Sequence, residues 1–237
     1  MMKEELTQKN PIRLLDSETD GKPVTQRMGL VMARAGLGKT AFLVQIALNS
    51  LLKGKQVVHV SIDQSLEKTK LWYDDIFKDI AKACKLKNAG KIHDEVMRNR
   101  MIMTFKESSF SAAKLAERLN DVVAQGFFTP NCLLIDNFSC SIGDRQVISD
   151  LRELMADMQL QVWLSAVSHR DDERVSEGGV PAPCHEVDDL FDTVILLQAE
   201  SPQQKGITLN IIKDSIGSAA TGKVLSLDPA TFLVKEG

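Results

Sequence analysis

A glycine-containing loop carries the clearest chemistry in the sequence. It spans residues 33–40 and reads Ala-Arg-Ala-Gly-Leu-Gly-Lys-Thr. Gly36 and Gly38 allow the backbone to wrap closely, so that amide N–H groups and the N-terminus of a following helix can point at phosphate oxygens. Lys39 adds a positive charge for the β and γ phosphates of a nucleotide, and the Thr40 hydroxyl is placed to bind magnesium. The loop therefore predicts a site for a nucleoside triphosphate and Mg²⁺.

The sequence around this loop supports the same interpretation. Ala33 replaces the first glycine of the usual G-x-x-x-x-G-K-[ST] motif, and a run of this kind is sometimes only a turn. However, the loop follows a strand predicted over residues 28–32 and opens a helix predicted over residues 40–52, as the motif requires. The expected nucleotide-binding residues are Arg34, Ala35, Gly36, Leu37, Gly38, Lys39, Thr40 and Ala41.

A carboxylate is expected at the end of a second buried strand. Residues 132–135 form a short apolar run that is closed by Asp136, where a carboxylate can order magnesium through water. An apolar strand that ends in Asp is also common as the start of a helix cap. Paired with Lys39 and Thr40, Asp136 is predicted to act in catalysis, and Thr40 and Asp136 are predicted to hold the metal.

Hydrolysis also needs a group that orients or deprotonates the attacking water. Asp63 follows a strand predicted over residues 57–62, next to the predicted site, and is the candidate base. An equally open interpretation is that Asp63 helps to cap the helix that Ser65 is predicted to begin. Gln64 is the alternative candidate for the water-positioning role.

The remaining elements predict how these residues are held together. Short β-branched and apolar runs alternate with stretches of helical periodicity, which indicates an α/β fold with a mostly parallel central sheet and helices on both faces. The last three strands have no helices between them, so they are expected to form antiparallel hairpins. Further strands are predicted over residues 101–105, 161–167, 193–197, 207–212, 224–227 and 231–234, and further helices over residues 111–124 and 147–158.

Length and composition limit the classes of protein that fit. A chain of 237 residues, 43% of them hydrophobic, can bury the core of one domain over residues 1–237, with a flexible tail at 1–10 and a mobile loop at 171–189. The net charge of -3 provides no global basic field for nucleic acid. No stretch approaches the ~20 apolar residues of a membrane span, and the N-terminus lacks an apolar signal core, so a cytoplasmic protein without membrane contact is expected.

The cysteines lie far apart in the sequence and show no metal-ligand spacing. They are therefore interpreted as reduced thiols. They are Cys84, Cys132, Cys140 and Cys184.

The motifs resemble those of the RecA-like P-loop ATPases, and within them the DnaB-type hexameric helicases and the KaiC-like ATPases. The similarity includes Ala-Arg before and Ala-Phe after the loop, Ser61-Ile62-Asp63 in place of Ser-Leu-Glu, and Ile211-Ile212-Lys213. The resemblance implies ATP as the nucleotide, a homo-oligomer that forms a hexameric ring, and Asp63 as a base one methylene shorter than the family's glutamate. It also implies that Lys213 contacts the nucleotide of a neighbouring subunit in trans.

Three departures from the family pattern lower the expected rate of turnover. Lys213-Asp214-Ser215 stands where the helicases carry Lys-x-Arg, and such an arginine can be worth ~10³ or more in rate. Ala166 stands where a glutamine that senses the γ-phosphate is expected, with His169 three residues later. The loop at residues 171–189 contains seven acids and Arg174 as its one Lys or Arg, which disfavours nucleic acid there.

We therefore expect an ATPase with slow Mg-dependent hydrolysis that forms a ring and uses its nucleotide state to control a protein partner. Two alternatives remain open. One is a motor or accessory factor linked to single-stranded DNA, and the other is a scaffold that binds nucleotide without turnover.

Overall fold

A mixed β-sheet organises the computed structural model of the protein. The structure describes residue 6 and residues 10–16, 18–19, 22–23, 26–168, 172–199, 206–217 and 225–236. Within the described chain, nine strands form one sheet in the order β11-β10-β9-β8-β3-β7-β6-β4-β5, and β1 pairs with β2 separately. The strands are β1 (Glu18–Thr19), β2 (Lys22–Pro23), β3 (Arg27–Ala33), β4 (Val57–Ile62), β5 (Arg100–Phe105), β6 (Cys132–Phe138), β7 (Gln161–Val167), β8 (Thr193–Ala199), β9 (Ile207–Asp214), β10 (Leu225–Leu227) and β11 (Val234–Glu236).

Helices cover both faces of this sheet. Helices α1, α2 and α3 contribute to one apolar cluster, and α4 and α5 contribute to the other. The helices of the described chain are α1 (Lys39–Leu52), α2 (Leu66–Ala83), α3 (Ala89–Met97), α4 (Ala112–Ala124) and α5 (Arg145–Met158). Short 3-10 turns occur at Pro11–Leu15, Glu107–Ser109, Ile142–Asp144, Cys184–Glu186 and Asp188–Leu190.

The central strand β3 shows why the sheet is buried on both faces. All seven of its residues are buried. Val31 packs into the cluster beneath α1, whereas Leu30 and Met32 pack into the cluster beneath α4 and α5. Side chains alternate across a strand, so a strand covered on both faces needs a continuous apolar run. The apolar run at 28–32 therefore becomes the strand that delivers the glycine loop.

Strand direction changes at β8, as the sequence predicts. Strands β3 to β8 run parallel to their neighbours in the sheet. The pairs β8–β9, β9–β10 and β10–β11 are antiparallel. The predicted α/β fold with a mostly parallel sheet and an antiparallel C-terminal edge is confirmed.

The predicted strand at residues 231–234 is wrong, because a turn occupies most of it. Asp228 accepts hydrogen bonds from the backbone N–H groups of Ala230 and Thr231, at 2.9 and 3.1 Å. Phe232 then adopts a φ of 56°, and the strand begins only at Val234. A carboxylate that binds the following N–H groups competes with strand pairing, which local β-propensity does not register.

The sequence prediction also omits helix α3. Only Val96 of this helix is buried, so its apolar periodicity is weak. The helix packs against α1 and α2 rather than under the sheet. None of the helices within the described residues is long and apolar enough to cross a membrane.

Two of the cysteines are not the reduced thiols that the sequence predicts. Cys140 and Cys184 form a disulfide across a separation of 44 residues, with Cα atoms 5.3 Å apart. Both are fully buried in the cluster on the α4 and α5 side of the sheet. Separation along the chain does not indicate distance in space, so the prediction of reduced thiols was wrong for this pair. Cys84 and Cys132 are free.

Candidate nucleotide site

The glycine loop connects the carboxyl end of β3 to the N-terminus of α1. Gly36 and Gly38 have φ angles of 82° and 86°, in the left-handed region that favours glycine. Gly38 is the N-cap of α1, and no side chain caps the helix there. The first N–H groups of a helix have no partner within the helix, so an uncapped N-terminus suits an anion. The local backbone is therefore that of a phosphate-binding loop.

Thr40 and Asp136 meet beside this helix terminus. The Thr40 hydroxyl donates a hydrogen bond of 2.7 Å to Oδ2 of Asp136, a residue that is only 2% exposed. Ser165 on β7 donates to Oδ1 of the same carboxylate and accepts a 2.9 Å bond from the Asn137 backbone N–H. These bonds orient the carboxylate towards Thr40 from a neighbouring strand.

Asp136 lies within β6 rather than after it. The predicted strand at 132–135 continues to Phe138, and its register with β7 shifts between Ile135 and Phe138. Asn137 takes a φ of 66° at this irregularity. Bulges of this kind re-aim side chains beside functional sites. The irregularity is a local reason why the Asp136 carboxylate turns towards the glycine loop.

The oxygen atoms of Thr40 and Asp136 fit a magnesium ion. Magnesium prefers oxygen ligands and is usually held by one or two carboxylates together with phosphate and water. In the described part of the chain, no group of three or more His, Cys, Asp or Glu side chains could hold a metal by itself. The donor set therefore suits a metal that arrives with phosphate, rather than a resident structural ion.

Lys39 is folded back onto its own loop. Its Nζ donates to the carbonyl oxygens of Ala33 and Arg34, at 3.2 and 3.3 Å. Burial lowers the pKa of Lys39 below its usual value, and the nearby Asp136 opposes that shift. Both carbonyl contacts are single hydrogen bonds that a phosphate oxygen can replace.

A cavity of about 360 Å³ lies over the loop. Its lining combines the loop with the residues that follow β4 and β6, part of α2, and the turn before β11. The lining residues are Ala35, Gly36, Gly38, Lys39, Thr40, Gln64, Lys68, Trp72, Asp136, Asn137, Val167 and Phe232.

Three of the predicted binding residues lie elsewhere. Arg34 and Leu37 line a separate cavity of about 510 Å³ on another side of the loop. The Ala41 side chain is fully buried in α1, which leaves only its backbone for a ligand.

The candidate base Asp63 faces away from the cavity. Its backbone has a φ of 53°, and its Oδ2 accepts a 3.3 Å hydrogen bond from the Glu107 backbone N–H. Gln64 lines the cavity instead. Ser65 caps α2 by accepting from Lys68 N at 3.2 Å, so the capping role belongs to Ser65. The role of Asp63 as a base stays a prediction, and it requires the side chain to turn.

The residues at the family's trans and sensor positions make contacts within their own chain. Lys213 Nζ donates to the Asp188 carbonyl at 2.7 Å, and the Ser215 hydroxyl donates to the Asp192 carbonyl at 3.0 Å. Ala166 is fully buried. His169 lies outside the described residues. Contact of Lys213 with a neighbouring nucleotide remains a prediction.

The acidic loop is less acidic in space than in sequence. Arg145, from α5, makes two hydrogen bonds of 3.0 and 2.7 Å to Asp189. Arg174 makes a matching pair of 2.8 and 2.6 Å to Asp172. These guanidinium groups hold the pKa of both carboxyl groups below their usual range. The remaining acids still provide no basic track for a nucleic acid.

The sequence prediction missed several residues that line or support the cavity. Lys68 and Trp72 are four residues apart on α2, a spacing that places them on one helix face and could have drawn attention to them. Phe232 has no such local signal. Its ring lies 6.2 Å from that of Trp72, and a Cβ atom on Gly38 would be 2.6 Å from it. Gln45 holds this turn by donating 2.7 Å to the Phe232 carbonyl.

Comparison with known proteins shows the fold of the chain. No protein-family model matches the sequence, and no curated protein matches it. Among solved structures, the chain is similar to the ATPase domain of a DnaB-family helicase, with a TM-score of 0.58 and 15% sequence identity over 86% of this chain and 80% of that one. At this identity the similarity concerns the fold alone. The chain has a RecA-like α/β fold, as its motifs predicted.

Proposed function

We propose that this protein is a slow, magnesium-dependent ATPase that binds ATP at residues 33–40. The observation that carries the proposal is the 2.7 Å hydrogen bond between Thr40 and Asp136 at the uncapped N-terminus of α1. It brings together an anion-binding helix end, a hydroxyl and a carboxylate, with Lys39 beside them. The similarity to the ATPase domain of a helicase supports the same choice.

The loop residues would bind and orient the triphosphate. The N–H groups at the start of α1 would donate to phosphate oxygens, and Lys39 would exchange its two carbonyl contacts for the β and γ phosphates. Thr40 and Asp136 would hold Mg²⁺, the latter through water. When bound, the ion would neutralise the negative charge of the phosphates.

Hydrolysis would then proceed by attack of water on the γ-phosphorus. A bond forms between the water oxygen and phosphorus, and the bond to the bridging oxygen breaks with its electron pair leaving on ADP. The proton of the water passes to Asp63 or to solvent. Asp63 must release the Glu107 N–H to take that role. Gln64, which already lines the cavity, would orient the water.

Slow turnover follows from the residues around the phosphate. Ser215 is bound to a carbonyl of its own chain and carries no charge for a neighbouring site. Ala166 is buried and has no polar side-chain atom that could sense the γ-phosphate. We propose that a ring of such subunits uses its nucleotide state to control a protein partner, as the resemblance to KaiC-like proteins implies.

A scaffold that binds nucleotide without turnover is the second candidate. The orientation of Asp63, with its carboxylate bound to Glu107 rather than facing the cavity, favours it. A motor linked to single-stranded DNA is less supported, because the loop at 172–189 presents ion pairs and acids instead of a basic groove.

The test is phosphate release from MgATP, with and without single-stranded DNA, together with nucleotide binding and mass in solution. The variants are Lys39→Ala, Asp63→Asn and Lys82→Ala, the last on the exposed side of α2 as a matched control. Slow release that is indifferent to DNA, lost in Lys39→Ala and Asp63→Asn, and retained in Lys82→Ala supports the proposal.

Other outcomes select the alternatives. Binding of ATP without release favours the scaffold, and stimulation by DNA favours the motor. A wild-type protein that binds no nucleotide overturns the proposal as a whole. Full activity of Asp63→Asn removes the assignment of Asp63 as the base.

A further inference from the structure

Lys68 is a second cation in the cavity over the glycine loop. It lies in the first turn of α2, where its backbone N–H donates to the Ser65 hydroxyl at 3.2 Å. Its side chain lines the same cavity as Lys39, Thr40 and Asp136. The residue is exposed. Two lysines from different elements therefore border a space that contains one carboxylate.

The position of Lys68 in its helix is electrostatically unfavourable in the absence of an anion. The N-terminus of a helix carries a partial positive charge, which disfavours a cation in the first turn. Within the described segments of the chain, no carboxylate pairs with the Lys68 ammonium group. Lys39 is different, because two carbonyl oxygens already satisfy its ammonium group. An anionic ligand in the cavity would relieve the unfavourable charge at Lys68.

The sheet order indicates which end of a triphosphate Lys68 would meet. The contact between Thr40 and Asp136 marks the candidate metal position, next to which the terminal phosphate would lie. Strand β4 is the direct neighbour of β6, with Ser61 opposite Asp136 in the register. Lys68 is on the helix that follows β4, so it approaches from the side of the metal position.

We propose that Lys68 contacts the terminal phosphate of the nucleoside triphosphate bound at residues 33–40. It supplies, from the same chain, a cation at the position that family members fill with an arginine from a neighbour. Lys213 is the alternative cation, but its ammonium group binds the Asp188 carbonyl and lines another cavity. The proposal rests on the proposed nucleotide binding. It makes Lys68 the residue that distinguishes ATP from ADP.

The test is calorimetric binding of ADP and of the non-hydrolysable analogue adenylyl-imidodiphosphate, both with Mg²⁺. The variants are Lys68→Ala, Lys68→Arg and Lys70→Ala, which removes an exposed lysine of the same helix that does not line the cavity. Lys68→Ala is expected to weaken binding of the triphosphate by about tenfold or more, the usual size of one charged hydrogen bond, and ADP by less than about twofold. Lys68→Arg and Lys70→Ala are expected to stay close to wild type.

The outcomes separate this proposal from the one on which it rests. If Lys68→Ala weakens both nucleotides equally, or neither, Lys68 does not read the terminal phosphate while nucleotide binding stands. If the wild-type protein binds neither nucleotide, the proposed function fails, and the role of Lys68 fails with it. Because Lys68 is exposed, unfolding of the Lys68→Ala variant should match wild type, which excludes misfolding as the cause of weaker binding.

Discussion

Replacing Ser165 by Ala tests whether the Asp136 carboxylate is held in place by its neighbouring strand. Ser165 is fully buried, donates to Asp136 Oδ1 and accepts from the Asn137 N–H. A hydrogen bond to a charged group contributes about 1.5–3 kcal/mol, and a buried group left without a partner costs about 1–3 kcal/mol. Since Asn137 is exposed and water can reach its N–H, we expect a loss of about 2–3 kcal/mol in the free energy of unfolding rather than the sum.

The assay is urea unfolding at neutral pH, with thermal unfolding as a second measurement. For a chain of this size, about 2–3 kcal/mol corresponds to a melting temperature about 4–12 °C lower. Ser168→Ala is the matched control, because Ser168 follows the same strand and its backbone N–H bonds to the Ala33 carbonyl. This control should change the stability by less than about 0.5 kcal/mol. Equal stability of the two variants would refute the reasoning.

The same variant also reports on the candidate metal site. Thr40 still donates to Asp136 Oδ2 in Ser165→Ala, but the carboxylate loses the contact that fixes its other oxygen. Loss of a residue that orients a metal ligand usually weakens metal binding by about 10–100-fold. The magnesium concentration for half-maximal binding of ATP should therefore rise by about tenfold or more. An unchanged magnesium dependence would show that Ser165 does not orient a metal ligand.

Three further predictions concern stability. Gly29→Ala should cost about 2–3 kcal/mol in urea unfolding, because its Cβ would lie 2.2 Å from the buried Trp163 ring; a loss below about 0.5 kcal/mol contradicts this packing. Burial lowers the pKa of His59 to about 4, so the unfolded chain takes up the proton first, and stability should fall by up to about 3 kcal/mol between about pH 6.5 and pH 4. The decline should be shallower in His59→Gln, and equal declines would exclude this cause. Reducing the Cys140–Cys184 disulfide, which closes a 44-residue separation, should cost about 4 kcal/mol, with no effect of reductant on a Cys140→Ser variant.

The elements around the glycine loop could be predicted because their causes are local. A continuous apolar run specifies β3, two glycines allow the positive φ angles of the loop, and helical periodicity continues to residue 52. The bounds predicted for β4 and β7 agree with the structure for the same reason. The antiparallel C-terminal edge follows from connections too short for parallel crossovers.

The surroundings of the loop could not be predicted in this way. Phe232 reaches Gly38 only because Gln45 binds the turn before β11. Asp63 turns towards Glu107 because β4 and β5 end side by side, a pairing that no local pattern encodes. The turn at Asp228 displaces the last strand through side-chain bonds to the backbone.

By itself, the sequence determined the chemistry of residues 33–40 and the α/β order of the elements, since residue type and periodicity act over a few neighbours. The meeting of Thr40 with Asp136 was predicted as a pairing, but the tertiary structure decided its geometry, through the bulge in β6 and the bond from Ser165. It alone decided that Lys68 borders the cavity and that Lys213 binds the Asp188 carbonyl. Such contacts join strands and helices distant in the chain, so packing selects them rather than local preference.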